Sequence, residues 1–132
     1  MIEIGNVYMA RVKVDDPDKV VDHLGGDLQM VSVECWKPVA FAALLARRAF
    51  ERRTNHAKTL GGEFLLRLAG TLQIREAIAS VGLKPGPNYA VAFSEGGLEK
   101  LRRLELEELE PIDCDEATAK TFFEKAALVE VL

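Results

Sequence analysis

The sequence predicts an α/β protein, with a mixed sheet of about four to five strands flanked by helices in a single domain. Three observations carry this expectation. Short strand-like segments recur along the chain, at Val7–Val14, Leu28–Cys35 and Asn88–Ser94. Segments with helical apolar stripes, such as Pro38–Arg53 and Thr71–Val81, alternate with them. The chain has 132 residues, which suits one domain, residues 1–132, around one core.

Val7–Val14 places Tyr8, Ala10, Val12 and Val14 on one face and Val7, Met9, Arg11 and Lys13 on the other. That is a strand with one more polar face. Asp16-Pro17 has the residue types of an N-cap followed by a first helical position. Val20, Val21 and Leu24 supply this helix with an apolar stripe, and Gly25-Gly26 ends it. Leu28–Cys35 is a second strand. Pro38 opens a helix to Arg53, apolar nearly all round in VAFAALLA and charged in RRAFERR. Glu63–Ala69 alternates, and its flanks, Gly61-Gly62 and Gly70, favour a strand. A continuous helix there is the rival reading, since short apolar runs are ambiguous. Thr71 then caps a helix with Ile74, Ala77, Ile78 and Val81 at i, i+3, i+4 and i+7, which Gly82 ends. Asn88–Ser94 is apolar on both faces and so reads as central. Glu95–Arg103 is a short helix or turn, and Leu104–Ile112 an acidic edge strand. Asp113 and Glu116 form a capping box for a last helix through about Ala126, before an apolar tail containing Val129, Val131 and Leu132.

Composition narrows the class. Apolar content of 48% and charged content of 29% are ordinary for a soluble globular protein. No apolar run approaches the roughly 18 residues that span a membrane. No basic segment followed by an apolar stretch marks a signal peptide, so a cytoplasmic location is expected. Cys35 and Cys114 form no CxxC pair and read as small buried hydrophobes rather than zinc ligands. The net charge of −4 is unevenly spread. From Arg47 to Arg75, seven basic residues face only Glu51 and Glu63, a balance of +5 that leaves −9 elsewhere. A basic middle in an acidic chain suggests a local anionic partner, with a solvated basic helix face as the plain alternative.

No catalytic set is visible. His23 and His56 are the only imidazoles, and no nucleophile-elbow, zincin, dinucleotide or P-loop pattern occurs. The carboxylates of LELEELEPIDCDE alternate with leucines without supporting His or Asn, as in an edge strand that resists aggregation. The expected reading is no enzyme, no metal and no cofactor. The Gly70-Thr71 corner stands out instead. A helix start there would offer unpaired N–H donors and partial positive charge to a phosphate. Thr71 and Gln73 would add side-chain polar groups, and Gly70 close access to backbone. Lys58, Arg67 and Arg75 are nearby in sequence. A cap and a turn residue with no ligand is the plain alternative.

The ordered set NHAK (Asn55–Lys58), EFLLRLAG (Glu63–Gly70) and QIREAI (Gln73–Ile78), with the closing ALVEVL, resembles the small KEOPS subunit family. Its vertebrate member is the PRPK-binding protein. The resemblance implies a non-catalytic subunit of a complex that installs threonylcarbamoyl on tRNA. It implies that the chain binds the kinase-like subunit and, as in archaeal members, recruits tRNA by its single-stranded 3′ CCA end. Asn55, Lys58, Arg67, Gly70, Thr71, Gln73 and Arg75 are then the expected RNA contacts, with Arg47 and Arg48 as additions. Val129, Val131 and Leu132 are the expected partner-binding residues, although pairing within the fold would explain them equally. Leu72 departs from a family position that is often basic, and His56 from one that is usually aliphatic. Two other readings stay open: a scaffold without RNA contact, and a small-anion-binding regulatory domain at Gly70-Thr71.

Overall fold

The computed structural model describes residues 1–132. Five strands form one sheet: β1 (Ile2–Ile4), β2 (Val7–Val14), β3 (Leu28–Val31), β4 (Gly86–Ala92) and β5 (Glu107–Leu109). The helices are α1 (Trp36–Arg52), α2 (Leu60–Ala69), α3 (Ile74–Val81), α4 (Glu95–Arg103) and α5 (Glu116–Val131). The expected α/β class, with five strands flanked by helices, agrees with this. Every pairing is antiparallel, so the sheet is not mixed.

The sheet order is β1-β2-β4-β3, and β5 pairs with β2 beside β1. β1 covers Val7–Met9 and β5 covers Arg11–Lys13, so the two short strands share one edge of β2. Gly5 and Asn6 both have positive φ, the geometry of a two-residue hairpin turn between β1 and β2. β4 is central, as its apolar sequence requires: Tyr89, Val91 and Phe93 face one side and Ala90 and Ala92 the other. The first side packs under α1, α2 and α3. The second is covered by α4, through Leu98 and Leu101, and by Val20 of the segment after β2. That segment forms two single 3-10 turns, Pro17–Lys19 and Val21–His23, rather than one helix. Asp16 caps the first of them.

The largest difference from the sequence expectation is Glu63–Ala69, which lies in helix α2 and not in a strand. Thr59 is its N-cap, accepting a bond from Gly62 N. Phe64, Leu65, Leu66 and Leu68 are all buried, because the helix lies between the sheet and α5. Phe64, Leu66 and Leu68 also fit the alternation of a strand, and so short an apolar run does not decide between the two. Gly61 serves packing here: its N–H donates to Gly26 O at 3.1 Å, and a Cβ would collide with Gly25 O. Gly70, with φ of 72°, closes α2 in the left-handed conformation.

α5 lies across α1 and α2 as an outer layer, with Phe123 edge-on to Phe41 at 4.9 Å. Its N-cap is Asp115 and not Asp113. The N–H of Thr118 holds the Asp115 carboxyl below the usual carboxylate range. Asp113 instead accepts from Trp36 Nε1 at 2.7 Å. The helix runs to Val131, so the expected apolar tail is its last turn. Cys35 and Cys114 are joined in a disulfide across 79 residues, tying the start of α1 to the approach to α5. Each is therefore a covalent link as well as a small apolar side chain.

Candidate nucleic-acid interface

Because α2 is a helix, Gly70-Thr71 joins two helices and is not a strand-to-helix corner. The ten residues of α2 separate its ends by about 15 Å at the usual rise per residue. Asn55 and Lys58 precede one end; Gly70, Thr71, Gln73 and Arg75 follow the other. The predicted site therefore divides in two.

At the first end, α1 finishes with Arg53 in the left-handed conformation. Arg48, Arg52 and Arg53 are exposed, as are Asn55 and Lys58 in the following turn. From Arg47 to Lys58 five cations face only Glu51, a balance of +4. None of these cations makes an ion pair within the chain. The turn itself is tightly organised. Asn55 Nδ2 donates to Ala57 O at 2.9 Å. The N–H groups of His56 and Ala57 both donate to Glu63 Oε1, at 2.6 and 2.7 Å. His56 Nε2 contacts Val129 O at 3.1 Å. Arg47 sits apart, in a shallow hollow with Tyr8, Phe93, Ser94 and Glu95 at the start of α4.

At the second end, Thr71 Oγ1 accepts from Gln73 N at 3.1 Å and donates to Glu76 Oε2 at 2.9 Å. Gln73, not Thr71, is the N-cap of α3. Glu76 places the chain's own carboxylate at the first turn, where an anionic ligand would otherwise benefit from the helix dipole. Arg75 is exposed, and Glu76 beside it offsets its charge. Leu72, Ile74 and Ile78 are exposed large apolar side chains. Ile78 borders an apolar groove of about 360 Å³ with Val21, Leu24, Leu65 and Leu83. Lys125 of α5 approaches Gly70 so closely that a Cβ at that glycine would lie 2.7 Å from Lys125 Cβ.

Arg67 lies between the two ends and is fully buried. Its Nε donates to Glu63 Oε2 at 2.9 Å and its Nη1 to Glu130 Oε1 at 2.6 Å. It therefore offers no free face to RNA, and its expected role as a direct contact has no geometric support. Val129 is also buried, whereas Val131 and Leu132 are exposed on the last turn of α5. No cluster of His, Cys, Asp and Glu is placed to hold a metal ion, and no helix is long and apolar enough to cross a membrane.

The chain is similar to KEOPS complex subunit Cgi121 of Pyrococcus abyssi, at 37% identity over 144 aligned positions. The alignment covers all of this chain and 84% of the relative. The chain belongs to the Cgi121 family. No protein-family profile matches it. In this Cgi121-family chain the sequence missed the roles of Glu63 and Glu130. The spacing of Glu63 and Arg67, four residues apart, was the available signal, since such pairs meet on a helix.

Proposed function

We propose that the chain is a non-catalytic accessory subunit of the KEOPS tRNA-modifying complex. It binds the kinase-like subunit and recruits tRNA through the 3′ CCA end. The observation that carries the RNA half is the set of unpaired cations at the α1–α2 junction, Arg48, Arg52, Arg53 and Lys58, beside the polar side chain of Asn55. Such a patch neutralises phosphates, and an ordered turn next to it supplies hydrogen bonds to unpaired bases. Gly70, Thr71, Gln73 and Arg75 form a lesser surface, where Glu76 offsets Arg75, that the tail reaches only by running along α2. Arg47 contributes at most long-range attraction.

The protein half rests on exposed apolar surface. Leu72, Ile74 and Ile78 form the larger patch, and Val131 and Leu132 a smaller one. In this reading Leu72 is a protein contact, which accounts for an aliphatic residue at that position. Gel-shift with tRNA carrying or lacking CCA tests the proposal. Tighter binding of the intact tRNA, weakening as salt rises, is expected. Equal affinity for both forms would remove the tail-reading role. The exposed α3 patch also favours a second reading, a scaffold without RNA contact. Co-purification with the kinase-like subunit together with no tRNA affinity would select it.

A further inference from the structure

We propose that Glu63 and Arg67 are positioning residues that hold the Asn55–Lys58 turn in its RNA-engaging shape; this rests on the reading above. Two consecutive backbone N–H groups, from His56 and Ala57, converge on one oxygen of Glu63. The second oxygen accepts from Arg67 Nε. Glu63 is fully buried, so its charge is tolerable only with these donors and the adjacent cation. Arg67 is in turn held by Glu130 on the last turn of α5. The turn is thus tied to α5 twice, through Glu63–Arg67–Glu130 and through the contact of His56 with Val129 O. Its apolar anchorage is slight, since only half-buried Ala57 packs against the core.

The chemistry of the turn follows from this arrangement. Adjacent N–H groups of a turn form a concavity that suits an anion. Here the chain's own carboxylate fills it from inside. The outward groups are the side chains of Asn55 and Lys58, with a fixed backbone beneath them. Stability alone is a weak account of the network. Apolar residues of similar volume commonly stabilise a core as well as a buried ion pair does. Arg67 Nη2 is moreover buried without a partner, which a purely stabilising arrangement would avoid.

The test compares full-length Glu63→Ala, Glu63→Gln and the double variant Glu63→Gln/Arg67→Met with wild type. It reads hydrogen exchange at the amides of residues 56 and 57, and affinity for CCA-bearing tRNA. Glu63→Ala is expected to lose amide protection and to bind tRNA at least tenfold more weakly. Glu63→Gln keeps an oxygen acceptor for the two amides but turns its NH2 toward Arg67 Nε, so it is expected to retain amide protection and to bind tRNA more tightly than Glu63→Ala. If Glu63→Ala does not fold, the double variant decides, since it keeps the acceptor and removes both buried charges. Lost amide protection together with weaker tRNA binding in it supports the proposal, and wild-type protection and affinity without Arg67 would overturn it. A tenfold loss of affinity with the amides still protected would make Arg67 a direct RNA contact and overturn it. Unchanged exchange in a folded Glu63→Ala would overturn the positioning role by itself. Wild-type protein without tRNA affinity would instead overturn the RNA reading.

Discussion

The two ends of α2 have opposite surface chemistry. Before its N-terminus, four cations, Arg48, Arg52, Arg53 and Lys58, face only Glu51, and the turn carrying Asn55 and Lys58 is bonded down by a buried carboxylate. After its C-terminus, Arg75 and Glu76 balance, Thr71 and Glu76 bond to each other, and Leu72, Ile74 and Ile78 stand open. One short helix thus separates a cationic surface from an apolar one. The proposed function would use this separation, because phosphate recognition calls for unpaired charge and protein docking for apolar area. Exposed and buried cations also differ: Arg48, Arg52, Arg53 and Lys58 make no ion pair, while buried Arg67 is paired with Glu63 and Glu130 and leaves only Nη2 without a partner.

The largest perturbation should come from the disulfide. Opening the Cys35–Cys114 bond frees a loop of 79 residues, worth about 4–5 kcal/mol in the chain-entropy account. Cys35→Ser/Cys114→Ser is therefore expected to melt well below the oxidised wild type. The bond lies just before α5, whose Thr118, Phe122 and Lys125 line a hollow with Ser80 and Val81 of α3 and whose Lys125 meets Gly70, whereas Val129 and Glu130 at its other end hold the Asn55–Lys58 turn. Hydrogen exchange should accelerate first around Gly70 and α3. Earlier loosening at residues 55–58 would break the assignment of α5's start to the apolar end.

Removing the guanidinium of Arg67 is next in size. Arg67→Met strands the buried Glu63 charge, and breaking such a pair from one side costs about 3–5 kcal/mol. Arg75→Met, at an exposed position, is expected to shift stability by less than about 0.5 kcal/mol. Chemical denaturation of both variants checks the contrast. Similar losses would mean that the buried network does not hold the fold more firmly than surface charge does.

The same contrast explains which parts of the chain were readable. β2 and β4 were legible because a strand's faces alternate, and because burial on both faces leaves a continuous apolar run. α1 was legible where its apolar half gives way to RRAFERR. α2 was not, since its short apolar run also fits the alternation of a strand. Glu63 and Arg67, four apart, meet on a helix but lie about 13 Å apart in a strand, and this signal was outweighed by the flanking glycines. β1 is only three residues long, and its signal was the Gly5-Asn6 turn. The basic cluster was visible as a charge count. Its division into two ends follows from a helix or a strand alike, since either separates them by about 15 Å or more; the charge count could not show that Arg67 between them is buried.

Charge reversal separates the two surfaces directly. Lys58→Glu is expected to weaken tRNA binding about tenfold, or about 1.4 kcal/mol, and to flatten the dependence on salt. Arg75→Glu should change affinity less than about threefold, because Glu76 already offsets that position. Ile78→Glu should do the reverse, sparing tRNA affinity while reducing co-purification with the kinase-like subunit. Equal loss of tRNA affinity from Lys58→Glu and Arg75→Glu would join the two ends into one RNA track along α2.

The smallest expected effect concerns the two threonines that flank α2. Thr59 Oγ1 accepts from Gly62 N at 3.0 Å and caps a helix buried against the core, so Thr59→Val should cost about 1 kcal/mol. Thr71 makes a similar bond to Gln73 N, but it is not the N-cap of α3, and its partner Glu76 is exposed. Thr71→Val is therefore expected to cost only a few tenths of a kcal/mol. It would also release Glu76 from its hydroxyl donor. Thermal melts of the two valine variants measure the difference. A larger loss at Thr71 would show that its hydroxyl organises the apolar end more strongly than the Thr59 cap organises the start of α2.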